Sequence, residues 1–215
     1  MHLKRTEAEK FWSVPRKGTK YIAVPSHNKK NSIPLIVMMR DVLRLVNNKK
    51  ELKKILNEKQ IKINNKIIHD VNYPIGLFDI ISFLNKNYRA VLDENKKISL
   101  EEISKNDAST KLIKIIGKKV LKNGKIQLNL IDGRNIIQKE KVNIGDSMVF
   151  NFSNNKIDKI IKMEKGKTAY VIRGKHVGAS GKIEDIIERG GKKLAKINTK
   201  NKKINVWVKN IIVME

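Results

Sequence analysis

Arg40 and Arg44 stand four residues apart, and Lys53 and Lys54 follow shortly after. A spacing of four places two guanidinium groups on one face of a helix. A guanidinium forks two donors onto one phosphate or stacks on a base, whereas a lysine ammonium acts as a point charge. The chemistry on offer is phosphate recognition. Lys59, Lys62 and Lys66 extend the set, and Asp41 and Glu51 are too few to neutralise it. A second group, Arg173, Lys175, His176 and Lys182, is interleaved with Gly174, Gly178 and Gly181. Lys4 and Arg5 stand near the N-terminus, and Arg89 is a further candidate for a specific contact. The plain alternative for each residue is a solvated surface.

Other chemistries fail on residue type. A Walker loop needs Gly, four residues, then Gly-Lys-Ser/Thr. Position 176 is His and position 183 is Ile, so the pattern breaks at both ends. The glycines read as tight strand turns and close backbone approach to RNA. His2, His27, His69 and His176 form no i, i+4 pair, so no metal site is expected. Glu101-Glu102 and Asp93-Glu94 read as a helix cap and a turn. The chain has no Cys, which removes disulfides, thiolate zinc sites and Cys nucleophiles together. No catalytic residue, cofactor or small-molecule substrate is expected.

Charge points the same way. The 215 residues carry 47 Lys plus Arg against 21 Asp plus Glu, a formal net charge of +26. The surplus is spread over the whole chain: +6 over 1–34, +4 over 35–95, and +8 over each of 96–165 and 166–215. Such an excess repels itself unless something acidic neutralises it. A polyphosphate backbone does so, releasing condensed counterions with each contact. Hydrophobic residues make up 40%, so this is no disordered basic tail. No apolar run approaches the ~18 residues that suggest a bilayer span. The N-terminus, Met1-His2-Leu3-Lys4-Arg5, lacks an apolar signal region, so a cytosolic location is expected.

The elements that must position these cations follow from periodicity. Residues 1–34 show no sustained period, and Pro15, Gly18 and Pro25 interrupt them. They read either as a flexible leader or as an arm that orders on RNA, with Trp12 and Tyr21 free to stack or to bury. Ser32 is a candidate N-cap, with Pro34 in the first turn. Ile36, Met39, Leu43 and Val46 recur at helical spacing. Asn47-Asn48 separates a second helix with Leu52, Ile55 and Leu56 inward. The period then drops to two. A hairpin is expected at Asn64-Asn65, a loop over 73–76, a strand over 79–83 and a hairpin around 93–97. Ser99-Leu100-Glu101-Glu102 fits a capping box opening a short helix. Beyond it, Asn123-Gly124, Asp132-Gly133, Asn154-Asn155 and Gly190-Gly191 separate strand candidates up to residue 213. Met38, Met39, Phe78 and Phe83 are assigned to cores.

Two stretches carry a resemblance. Lys62-Ile63-Asn64-Asn65-Lys66, followed by Tyr73-Pro74-x-Gly76-x-x-Asp79-Ile80-Ile81 and preceded by two basic helices, resembles the alpha-L RNA-binding motif. Ala169-Tyr170-Val171-Ile172-Arg173-Gly174, then Gly178 and Gly181-Lys182-Ile183, resembles a KOW motif. Their order, behind His2-Leu3-Lys4-Arg5, resembles the family of small-subunit ribosomal protein four of the archaeal and eukaryotic type. Asn65 stands where such turns usually carry Gly, and Ile68-His69 where an Arg is expected. The stop at Glu215 without a further basic tail leads to an archaeal-type expectation. The resemblance implies a multi-domain α+β protein: a basic extension over 1–34, an alpha-L domain over 35–100, a central β-rich domain over 101–165 and a KOW-bearing SH3-like barrel over 166–215. It implies a non-enzymatic structural constituent of the small ribosomal subunit, with rRNA and neighbouring ribosomal proteins as partners, no membrane and no homo-oligomer. Two rivals stand beside it. A KOW-containing transcription elongation factor would need a polymerase-facing surface, against which the even charge argues. An RNA-modifying enzyme would need a catalytic constellation, and residues 100–165 offer none.

Overall fold

A computed structural model describes residues 2–93, 95–138, 142–199 and 202–214. Met1, Glu94 and Glu215, used in the sequence readings above, lie outside the described residues. The chain is mostly β-structure with few helices and divides into two compact units, Met1–Lys111 and Leu112–Glu215.

The first unit is built on an antiparallel five-stranded sheet. Its spatial order is Lys66–Ile67, Ile61–Ile63, Ile80–Phe83, Lys86–Leu92, Ile98–Ile103. Alternation decides which side chains enter the core: Ile61 and Ile63 are buried while Lys62 between them is exposed. The turn at Asn64-Asn65 has φ of 50° and 64°. Both central residues are thus left-handed, as the twist of a two-residue hairpin demands, and Asn accepts this better than other side chains with a Cβ. The helix Lys49–Asn57 buries Leu52 and Leu56 on this core. Asn48 caps it by accepting from the Glu51 N–H at 3.0 Å, and Glu51 reaches back to accept from the Asn47 N–H at 2.7 Å.

Five expectations are corrected here. The helix expected through residue 46 is a short turn, Leu35–Val37, that widens over Met38–Val42. The Leu43 N–H donates to the Met38 carbonyl, five residues back, at 3.0 Å. Arg44, at φ 55°, then ends it. Ser32 is not its cap. Ser32–Pro34 is a strand paired with Pro74–Gly76, so the loop expected there is also extended backbone. The supposed capping box at 99–102 is part of the strand Ile98–Ile103, paired along Lys86–Leu92. Cross-strand pairing outweighed a local helix signal of four residues. Finally, the N-terminal residues are no loose leader. Trp12 is 2% exposed in the main apolar cluster, Leu3–Lys4 pairs with Tyr21–Ile22, and the Ile98 N–H donates to the Phe11 carbonyl.

The second unit holds two five-stranded sheets. One runs Asn135–Gln138, Ile126–Leu130, Thr110–Val120, Ser147–Asn151, Lys156–Ile161. The other runs Lys203–Trp207, Lys192–Asn198, Ser180–Arg189, Thr168–Val171, Ile211–Met214. The expected hairpins at 123–124, 132–133, 154–155 and 190–191 all form. Val171, Ile183, Ala195, Ile197, Ile211 and Val213 make the core, with Val149 from the first sheet and Met163 just beyond it packed against this core. The Ser147 hydroxyl accepts from the Val213 N–H at 3.0 Å and ties the sheets together.

Candidate nucleic-acid interface

In the first unit the predicted cations lie mostly on the surface. Arg40 and Arg44 are exposed on the wide turn, Lys53 and Lys54 on the helix, Lys59 just after it, and Lys62 and Lys66 on the hairpin. Arg40 grips Asp41 through two donors at 2.8 Å each, and this hydrogen bonding holds its guanidinium above the ordinary arginine range. Lys4 is exposed. Arg5 is half-buried and turned onto its own chain: it donates to the carbonyls of Thr19 and Pro15, both at 2.7 Å, and to the Thr19 hydroxyl at 2.9 Å. Arg89 is also half-buried and donates to the Asp107 carbonyl at 3.0 Å. These two arginines act first as braces of the fold.

Beneath the hairpin lies a buried polar knot. The Asp79 carboxylate accepts from Asn64 Nδ2, from Lys111 Nζ and from the Gly76 N–H, each at 2.6 Å. Asn64 Oδ1 accepts from the Ile80 N–H at 3.0 Å. The Lys111 side chain is 3% exposed and that of Asp79 10%. Asn64, Gly76 and Asp79 are the residues that carried the alpha-L resemblance. They hold the turn and the adjoining loop together from inside, and the cations around them face outward.

In the second unit Arg173, Lys175 and Lys182 are exposed and His176 is half-buried. Gly174 and Gly178 take φ of 99° and 83°, where a Cβ is unfavourable. Gly181 has a different reason: an added Cβ would lie 2.2 Å from the Asn198 carbonyl oxygen. That close approach is to the neighbouring strand of the same sheet.

Lys114 was not singled out from the sequence. It is buried, and its ammonium donates to the carbonyls of Val208, Lys209 and Ile211. Burial pulls its pKa down to about 8 from 10.5. The signal was a lone cation inside the apolar run Leu112-Ile113-Lys114-Ile115-Ile116. Between pH 8 and 10.5 the folded chain has given up this proton while the unfolded chain keeps it. Stability from this group therefore rises with pH in that window, and is lost as pH falls through the folded value. Thermal unfolding of the wild type and Lys114→Met across pH 7–10.5 tests this. The wild type is expected to gain on the variant by about 1.4 kcal/mol per pH unit at most. A constant difference would show that the ammonium is not desolvated.

Among the described residues there is no group of three or more His, Cys, Asp or Glu fit to hold a metal, and no helix long and apolar enough to cross a membrane.

Comparison with known proteins adds an independent line. The family model described as Ribosomal family S4e matches residues 84–157. Small ribosomal subunit protein eS4 of Methanocella arvoryzae is 38% identical over 190 residues, covering 86% of this chain and 80% of that protein. Its counterpart from Nanoarchaeum equitans is 35% identical over 219 residues, covering 98% and 94%. The crystal structure of the 30S ribosomal protein S4e from Thermoplasma acidophilum superposes with a TM-score of 0.76 at 28% identity, covering 86% of this chain and 95% of that one. Identity of this extent, together with the matching fold, means that the chain belongs to the eS4 family of small ribosomal subunit proteins.

Proposed function

We propose that this protein is a structural constituent of the small ribosomal subunit in the cytoplasm, and that it binds and stabilises small-subunit rRNA without catalysing a reaction. The observation that carries the reading is the net charge of +26, spread over both units and presented largely by exposed Lys and Arg. Phosphate neutralisation supplies the affinity, and the folded shape of the rRNA supplies the selection. In the finer reading, residues 35–100 act as an alpha-L module that presents Arg40, Arg44, Lys53, Lys54, Lys59, Lys62 and Lys66. Residues 166–215 act as a KOW-bearing barrel that presents Arg173, Lys175, His176 and Lys182. Residues 1–34 add Lys4, and residues 101–165 form the β-rich segment between. Modules on one chain raise each other's effective concentration on a common rRNA. Neighbouring ribosomal proteins complete the environment, and the chain acts as a single copy.

Crosslinking in cells, followed by sequencing of the attached RNA, tests the whole. Crosslinks concentrated in a few small-subunit rRNA helices support the reading. Crosslinks spread over nascent messenger RNA favour a KOW-containing elongation factor instead. A narrower test uses Arg40→Ala with Arg44→Ala. Both residues are exposed, so the melting temperature is expected to stay put, since such changes are usually within about 0.5 kcal/mol. The log–log salt slope of rRNA binding is expected to fall in magnitude by roughly 1.4–1.8. Loss of folding in the double variant would make these residues structural.

A further inference from the structure

The outer face of the last sheet carries a partly exposed tryptophan. On the edge strand Lys203–Trp207, Ile204 and Val206 point into the core, 4% and 6% exposed. Strand alternation then turns Trp207 outward, where it is 40% exposed. Tryptophan is highly buried on average, so this much exposure is uncommon. Its cross-strand neighbours on the same face are Leu194 and, beyond it, Ile187. These make a short apolar row rather than a pocket.

Cations surround that row. The register puts Arg189 and Lys192 at one end of it. At the other end come Lys196, between Asp185 and Asn205, and then Lys182, Asn198 and Lys203. Lys192 Nζ lies 5.7 Å from the centre of the Trp207 ring, within cation–π range. Two of the nearby acids are paired, Asp185 with Lys165 at 2.7 Å and Glu184 with Lys203 at 3.0 Å, so Lys203 is already engaged. The face therefore presents one flat aromatic surface inside a positive frame. A protein partner matched to it would have to be strongly acidic. An unpaired stretch of RNA matches it directly, with a base for the ring and phosphates for the cations.

We infer that Trp207 is a stacking platform for an unpaired base, with Lys182, Lys192, Lys196 and Arg189 holding the phosphates on either side. This rests on the RNA-binding reading above and deepens it: the ligand of this face is single-stranded rather than helical RNA. Stacking differs from charge neutralisation in its signature, because it releases no counterions.

The experiment uses the intact protein, a twelve-nucleotide oligoadenylate and an RNA duplex of equal length. Trp12 is 2% exposed, so a change in tryptophan emission on binding reports on Trp207. The oligoadenylate is expected to quench the emission and the duplex to leave it nearly unchanged. Trp207→Leu is expected to abolish the quench and weaken oligoadenylate binding roughly 5- to 150-fold, the usual range for one stacked base. Its salt slope should match the wild type, and Trp207→Phe should recover part of the affinity. Circular dichroism checks that both variants fold. Unchanged affinity in Trp207→Leu, with the wild type still showing a steep salt slope, overturns the platform alone. Equal quenching by duplex and single strand also overturns it. An emission unmoved in the RNA-bound wild type overturns it too, and leaves the face to a protein neighbour. A wild type that binds no RNA overturns the functional reading and the platform with it.

Discussion

Asp79→Ala is expected to destabilise the first unit by about 3–5 kcal/mol, the usual cost of removing one partner from a buried ion pair. Asp79 is the hub of the knot beneath the hairpin, accepting from Lys111, Asn64 and the Gly76 N–H. Without the carboxylate, the Lys111 ammonium stays buried with its Asp79 partner gone, and two further donors lose an acceptor. Removing both charges at once should be gentler, because the buried ammonium goes together with its carboxylate. Asp79→Leu with Lys111→Met is therefore expected to cost less than Asp79→Ala alone. Urea unfolding measures both. Against the 5–15 kcal/mol typical of a native domain, the single change threatens folding itself. A loss below about 1 kcal/mol would show that the knot is incidental. The result also bears on the interface, since the knot holds the hairpin that displays Lys62 and Lys66.

The second large effect is in binding. Isolated protein and small-subunit rRNA should associate tightly at low salt and weakly at physiological salt. With about ten phosphate contacts, the log–log slope is expected to be roughly −7 to −9. Between 50 and 200 mM salt that amounts to a loss of about four to five orders of magnitude in affinity. Anisotropy titrations across that range measure it. A slope shallower than about −2 would overturn charge neutralisation as the source of affinity. The expected steepness follows from exposure: Arg40, Arg44, Lys53, Lys54, Lys59, Lys62, Lys66, Arg173 and Lys182 all face solvent. These nine cations are thus available to a polyanion.

How much of this was legible before the fold was known depends on the range of the interaction. Hairpins were legible because their turns are local. Asn64-Asn65 and Gly190-Gly191 adopt the positive φ that their side chains, or lack of them, permit. The helix Lys49–Asn57 was legible from its Asn48 cap and its apolar period. Residues 99–102 of the strand Ile98–Ile103 read locally as a helix start because their cross-strand partners lie eight to fourteen residues away in sequence, out of reach of a four-residue motif. The N-terminal residues were hardest, since Trp12 gains its place only by packing on a core assembled from residues up to Leu100.

The candidate interface divides in the same way. The sequence alone determined the sign and spread of the charge, because composition does not depend on folding. It also determined the hairpin turns, because two-residue turns are set by local dihedral preference; the α+β expectation gave way to a mostly β fold with few helices only in the structure. Only the tertiary structure decided what each cation does. Lys111 and Lys114 are buried and serve the chain's own carboxylate and carbonyls, and Arg5 and Arg89 brace backbone. Lys62 and Lys192 face outward. A side chain's charge is set by its chemistry, but its partner is set by which distant backbone the fold brings beside it, and no count along the chain contains that.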